Sequence, residues 1–226
     1  VNSIYDMGGY YTAVVNDKMY DGKTVILAAG VSNSREIPGE SRLLGKGVSY
    51  CATCDGAFFR NKTAAVVGGG DVAVEDAIFL SRICEKVCLI HRRDSLRAAK
   101  SLQDTLFQCR NVEILWDSVV EEICGQEKVE FLKLRRLKEE RTVELPVDGV
   151  FIAVGIRPNT EMLQNIVTYD EGGYIIAGED CVTQTPGIFA AGDVRTKQLR
   201  QIVTAVADGA NAVVSVEKYF RERENG

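Results

Sequence analysis

The hydrophobic pattern changes period along the chain, and each period predicts a different element. From Asn2 to Asp17 short apolar and polar runs alternate, as in "YYTAVVND", which predicts short antiparallel strands. In "GKTVILAAG" the residues from Val25 to Ala29 form an unbroken apolar run stopped by Gly30, the pattern of a buried strand. Pro38, Gly39, Gly45 and Gly47 then punctuate a looser stretch that predicts a connection between domains. "KTAAVVGGG" (62–70) predicts a second buried strand running into glycines. From Asp71 to Arg82 apolar residues recur at helical spacing, at Val72, Val74, Ala77, Ile78 and Leu80, with Ile83 beyond. Val87–Ile90 predicts another buried strand and Ser95–Gln108 another amphipathic helix. Strand, helix, strand, helix is the opening of a doubly wound parallel sheet.

From Val112 to Leu145 the runs shorten and alternate ("VEILW", "SVVEEIC", "VEFLKLRRL", "RTVELP"), with turns at "GQEK" and "KEER". This predicts a small antiparallel meander inserted into the sheet. Val150–Val154 returns as a buried strand ended by Gly155 and Pro158. A further region starts near Asn159, with a strand in "GIFAAGD" and a long closing helix from about Gln201 to Phe220.

Composition narrows the picture only modestly. The formal net charge is -5, which gives no footprint for nucleic acid. No apolar run is long enough to span a membrane, and the first residues do not have the layout of a secretory signal. Seven cysteines, an odd number, predict a cytoplasmic chain whose thiols are mostly reduced. Cys84, Cys88, Cys109, Cys124 and Cys181 read as small core hydrophobes or inert thiols.

Gly68-Gly69-Gly70-Asp71-Val72-Ala73 fits G-x-G-x-x-A between a predicted strand and a predicted helix, the setting a dinucleotide needs. Backbone N–H groups can approach a pyrophosphate there, and the helix N-terminus favours its charge. A tight strand-to-helix turn without a ligand is the plainer alternative. The end of the next strand decides the cofactor. An acidic residue roughly 20 residues after the glycines would hold the 2′-hydroxyl of NAD. Here stand His91, Arg92 and Arg93, with Arg97 following, and guanidiniums suit a 2′-phosphate, so the expected ligand is NADPH. His91, the single histidine, is read as lining the phosphate site or capping the strand, not as a catalyst.

"SYCATCDGAFF" (49–59) holds a C-x-x-C. Zinc would need two more ligands, and Cys84 and Cys88 have the wrong spacing. A reversible disulfide between Cys51 and Cys54 fits better, with Asp55 beside them to shuttle a proton. A nicotinamide carries a hydride and a disulfide takes two electrons, and the usual adapter between the two is a flavin. Downstream, Gly192-Asp193 ends a strand where a carboxylate can accept from a ribose or ribitol hydroxyl. Arg200, Gln201 and Ile202 open the last helix, whose positive end can face a flavin ring.

"CATCDG" (51–56), "GGGDVAVEDA" (68–77), "HRRDSLRA" (91–98), "GIRPN" (155–159), "FAAGDV" (189–194) and "RQIVTAVADG" (200–209) occur in this order. Together they resemble the thioredoxin reductase family of the low-molecular-weight bacterial kind, over essentially the whole chain. The resemblance implies an α/β fold: a Rossmann-like NADPH domain with an inserted antiparallel meander (32–157), flanked by parts of a second, Rossmann-like FAD domain (1–31 and 158–226). It implies that Cys54 faces the flavin and Cys51 meets thioredoxin, with Asp55 as the acid. Arg92, Arg93 and Arg97 would hold the 2′-phosphate, Asp193 the ribitol, and the Arg200–Ile202 backbone the flavin ring. A homodimer and a domain rotation are also implied. Members of the family carry an earlier G-x-G-x-x-G for FAD, and upstream of Gly30 only Gly8-Gly9 and Gly22 are present. The expectation is therefore that the first FAD half lies outside this sequence and that the chain alone binds FAD poorly. Relatives that reduce a peroxiredoxin or oxidise small dithiols reuse C-x-x-C, and a non-catalytic NADP-binding fragment is the alternative of another class.

Overall fold

The structure is a computed structural model and describes residues 1–33, 36–163 and 166–224. The chain divides into two compact units, Val1–Ser32 with Ile156–Gly226, and Asn33–Gly155.

The first unit begins with β1 (Ser3–Asp6), β2 (Tyr11–Val15) and β3 (Lys18–Gly22), an antiparallel sheet in that order, followed by β4 (Val25–Leu27) and β5 (Val31–Asn33). The second unit contains α1 (Glu40–Leu43), β6 (Val48–Ser49), α2 (Ala52–Asp55), β7 (Thr63–Gly68), α3 (Asp71–Ser81), β8 (Lys86–Ile90) and α4 (Lys100–Leu106). It continues with β9 (Val112–Leu115), β10 (Ser118–Cys124), β11 (Phe131–Arg136), β12 (Arg141–Pro146) and β13 (Gly149–Ala153). The chain then returns to the first unit through β14 (Ile156–Pro158), β15 (Ile188–Ala190) and α5 (Ile202–Glu224). There β15 pairs in parallel with β4, and β14 pairs with β5. A core of Ile4, Tyr11, Leu27, Leu163, Ile175 and Ile188 fills this unit.

In the second unit the five-stranded sheet runs β6-β13-β7-β8-β9, all parallel. The unbroken apolar runs of its inner strands are two interleaved faces. Ala65, Val67, Cys88, Ile90, Val150 and Ile152 point one way, into a core shared with Ile123, Leu132 and Leu134 of the inserted meander. Ala64, Val66, Val87, Leu89 and Phe151 point the other way, onto Ala73, Val74, Ala77 and Leu80 of α3. A strand covered on both faces shows no alternation, and each large apolar side chain so buried contributes about 1.5–3 kcal/mol.

Three expectations need correction. The buried strand expected over Val25–Ala29 is β4 over Val25–Leu27, and because it is paired among the described residues with β15 alone, its Ile26 is 42% exposed. Val112–Leu115 was expected in the meander, but it is the parallel edge strand of the main sheet, paired with β8; only β10, β11 and β12 form the meander. An edge strand is half-covered, so its burial alternates as in a hairpin strand. The helix expected over Ser95–Gln108 is confined to Lys100–Leu106. The preceding residues are held out of helix by long-range bonds: the Arg97 N–H donates to Gly69 O at 2.7 Å and the Ala99 N–H to Asp71 Oδ1 at 2.7 Å.

Candidate redox and dinucleotide site

Cys51 and Cys54 are joined by a disulfide, with Cα atoms 5.3 Å apart. Cys51 caps the single turn of α2: its Sγ accepts from the Cys54 N–H at 3.2 Å, and the Thr53 hydroxyl lies 3.4 Å away. Donors converging on a sulfur favour its thiolate once the bond opens. Asp55 ends the same turn, half-buried, and its Oδ2 accepts from the Ser49 hydroxyl at 2.6 Å. A cavity of about 240 Å³, lined among others by Gly47, Ser49, Asp55, Phe58 and Phe59, reaches this carboxylate. Tyr50, directly before Cys51, donates to Glu40 at 2.6 Å; Glu40 is 1% exposed and also accepts from the Ile37 N–H and the Asn33 amide. Burial first, then the hydrogen bond to this carboxylate and its negative charge, push the Tyr50 phenol up to about 12. No group of residues among those described could hold a metal ion.

α2 packs against α3, whose N-terminus carries the glycine loop. The three glycines do three different things. A Cβ on Gly68 would lie 2.4 Å from Ala153 O and 2.6 Å from Ala73 Cβ, so strand β7 and helix α3 approach through it and through the buried Ala73. A Cβ on Gly69 would lie 2.2 Å from the His91 ring. A Cβ on Gly70 would meet nothing within 4 Å, so the open space of the loop lies over this residue. Asp71, at the first turn of α3, spends Oδ1 on the Ala99 amide. His91 is 5% exposed beneath the loop, its Nε2 3.0 Å from Ser95 O. Burial lowers its pKa, outweighing the bonds to backbone at Ser95 and Gly68, with the charges of Arg97 and Arg93 acting in the same direction as burial. Arg92, Arg93 and Arg97 are exposed on the segment tied to the loop, and no described residue forms an ion pair with them. The structure thus brings the glycines, Asp71, Ala73, His91 and the arginines to the carboxyl ends of the adjacent strands β7 and β8.

In the first unit, Gly192 (φ 77°) and Asp193 follow β15. Asp193 Oδ1 is buried without a hydrogen-bond partner among the described residues, an acceptor that calls for a donor from a ligand. Arg200 stacks over the Tyr174 ring at 3.9 Å and its Nε is 3.4 Å from Asp193 O. Gln201 precedes α5, and Ile202, its first residue, is 86% exposed. A group the sequence reading missed holds the loop in place. Asp208, 2% exposed on α5, accepts from the Gly192 N–H, from Arg195 Nε and from Lys197 Nζ on Oδ2, and from a second Arg195 nitrogen on Oδ1. Burial would push this carboxyl up, but the two cations and the amide prevail and hold it at about 2. The available signal was a cluster of cations just past a buried strand and an acid, Asp208, in the first half of the following helix.

Residues 5–209 match the sequence family of pyridine nucleotide-disulphide oxidoreductases. The chain is 46% identical over 224 residues to the thioredoxin reductase of Listeria monocytogenes, covering 98% of itself and 70% of that protein. With the thioredoxin reductase of Peptoclostridium acidaminophilum the identity is 43% over 222 residues, again 70% of that protein. The chain belongs to this family, among its thioredoxin reductases of bacterial type. The crystal structure of the Streptococcus pyogenes thioredoxin reductase superposes with a TM-score of 0.90 at 46% identity, over 98% of this chain and 73% of that one. The α/β architecture with its parallel sheet is thus that of the family, and the chain is a flavoprotein disulfide oxidoreductase by descent.

Proposed function

We propose that this chain contributes the NADPH site, the Cys51–Cys54 disulfide and part of the FAD site to a route that carries electrons from NADPH, by way of FAD, to the disulfide and from there to thioredoxin. The observation that carries this reading is the presence, in one unit, of a closed C-x-x-C disulfide beside an acid and of a glycine loop flanked by exposed arginines. The space over Gly70 takes the pyrophosphate, and Arg92, Arg93 and Arg97 take the 2′-phosphate as charge-assisted, bidentate partners. Asp71 and His91 hold that loop in shape from below and behind. In the other unit Gly192 and Asp193 receive the ribitol, filling the unmet Asp193 Oδ1, and the backbone of Arg200, Gln201 and Ile202 receives the flavin ring. FAD, when bound, supplies the two-electron relay between nicotinamide and disulfide. Cys51, with its two converging donors, is the nucleophile toward thioredoxin; Cys54 resolves the mixed disulfide and Asp55 handles the proton. Five free cysteines fit a reducing compartment, so we place the enzyme in the cytoplasm, as a homodimer like the family it resembles.

Binding tests the nucleotide half of this reading. Replacing Arg92 and Arg93 by alanine is expected to weaken NADPH about a hundredfold in fluorescence titration of the chain, and NADH by less than about threefold. Equal losses for the two nucleotides would show that these side chains meet no 2′-phosphate.

A further inference from the structure

Cys51, Asp55 and their surroundings leave one buried hydroxyl to be accounted for. Ser49 is 4% exposed and stands on β6, fixed opposite Phe151 of β13 by the parallel register. Its Oγ accepts from the Cys51 N–H at 3.1 Å. Its single proton has two acceptors in reach, Asp55 Oδ2 at 2.6 Å and Cys51 O at 3.4 Å, and the short contact to a carboxylate prevails. The result is a directed chain from the Cys51 amide through Ser49 to Asp55.

Resting on the redox reading above, we propose that Ser49 is a positioning residue for the Asp55 proton transfer. Its hydroxyl occupies Oδ2 and leaves Oδ1 as the oxygen that exchanges a proton with the sulfurs, and the Cys51 amide fixes both side chains to the backbone of the nucleophile. In the first step the Cys51 thiolate attacks a substrate disulfide. The Cys51 sulfur–substrate sulfur bond forms, the substrate S–S bond breaks, and the first substrate sulfur leaves as a thiolate that solvent protonates. In the second step Cys54 gives its proton to the Asp55 carboxylate and its sulfur attacks Cys51 Sγ. The 51–54 bond closes, and the second substrate sulfur leaves, taking the proton from Asp55. The substrate gains two electrons, the dithiol loses two, and Asp55 ends as it began. Ser49 and Asp55 also line the cavity of about 240 Å³ described above.

The test uses the whole chain, reduced and freed of reductant, mixed with excess oxidised glutathione, acid-quenched over time, and mapped at the Cys51–Cys54 peptide. The rate read is the conversion of the Cys51–glutathione mixed disulfide into the 51–54 disulfide. Ser49→Ala is expected to slow it about tenfold, the scale of one charge-assisted hydrogen bond, and Ser49→Thr to restore it. In an Asp55→Asn background Ser49→Ala is expected to change the rate by less than about twofold, because the hydroxyl acts only through that carboxylate. An unchanged rate in Ser49→Ala, or the same tenfold loss in both backgrounds, would overturn the proposal while leaving the redox reading intact. A wild-type rate in Asp55→Asn would overturn the proton-transfer reading itself, and this proposal with it.

Discussion

Asp76 on α3 is a carboxylate in the wrong solvent. Burial first, and then the neighbouring Glu75 charge, push it up to about 6 from an ordinary 3.8. A carboxyl whose folded-state pKa is raised supports the fold while protonated, below its unfolded value, and that support is lost as pH rises through the folded one. Asp76→Asn mimics the protonated form, so it is expected to raise Tm by about 2–4 °C at pH 8 and to leave it unchanged at pH 4. A thermal melt at both pH values decides it, and an equal gain at both would contradict the cause given. Asp208 has the opposite sign. Its carboxyl is held at about 2, so its contribution is present at neutral pH and fades only as pH falls from about 4 through 2. Removing it leaves Arg195 and Lys197, whose side chains are 2% and 5% exposed, without their shared buried anion. Asp208→Ala is expected to cost about 3–5 kcal/mol in denaturant titration at pH 7; a cost under about 1 kcal/mol would show that the cluster is not under that load.

At the level of elements, the glycine loop separates folding from binding. Gly68→Ala and Gly69→Ala place a Cβ inside strand–helix contact and inside the His91 ring, so both are expected to destabilise the second unit. Gly70→Ala meets open space at an ordinary φ of -95°, so its melting curve is expected to match the parent while NADPH affinity falls. Retained affinity in Gly70→Ala would remove the nucleotide from that space. The motif itself was legible because a buried strand, three glycines and a helix are local events. The helix over 95–99 was misread because its competitors are not local: Gly69 O and Asp71 Oδ1 lie far back in sequence and capture the Arg97 and Ala99 amides. β9 was misplaced because pairing partner and direction leave no trace in a four-residue pattern, whereas the continuous runs of β7, β8 and β13 announce two covered faces. Ser49 and Asp208 were invisible for a related reason: a serine before a C-x-x-C and an acid on an amphipathic helix look ordinary until their partners are placed.

Across the molecule, the chemistry is divided as the chain is. The second unit, one continuous stretch, carries the disulfide, the neighbouring Asp55 and the glycine loop proposed for the dinucleotide, and the first carries Asp193 with its unmet oxygen. Because Cys51, Cys54 and Asp55 lie in one unit, the last of the proposed electron transfers can be measured without flavin. The chain is reduced, freed of reductant, mixed with oxidised thioredoxin, and assayed in a single turnover. About one thioredoxin disulfide per chain is expected to be reduced, none by Cys51→Ser, and Cys54→Ser is expected to accumulate a mixed disulfide through Cys51. Transfer that survives in Cys51→Ser, or an adduct formed through Cys109 instead, would contradict the account.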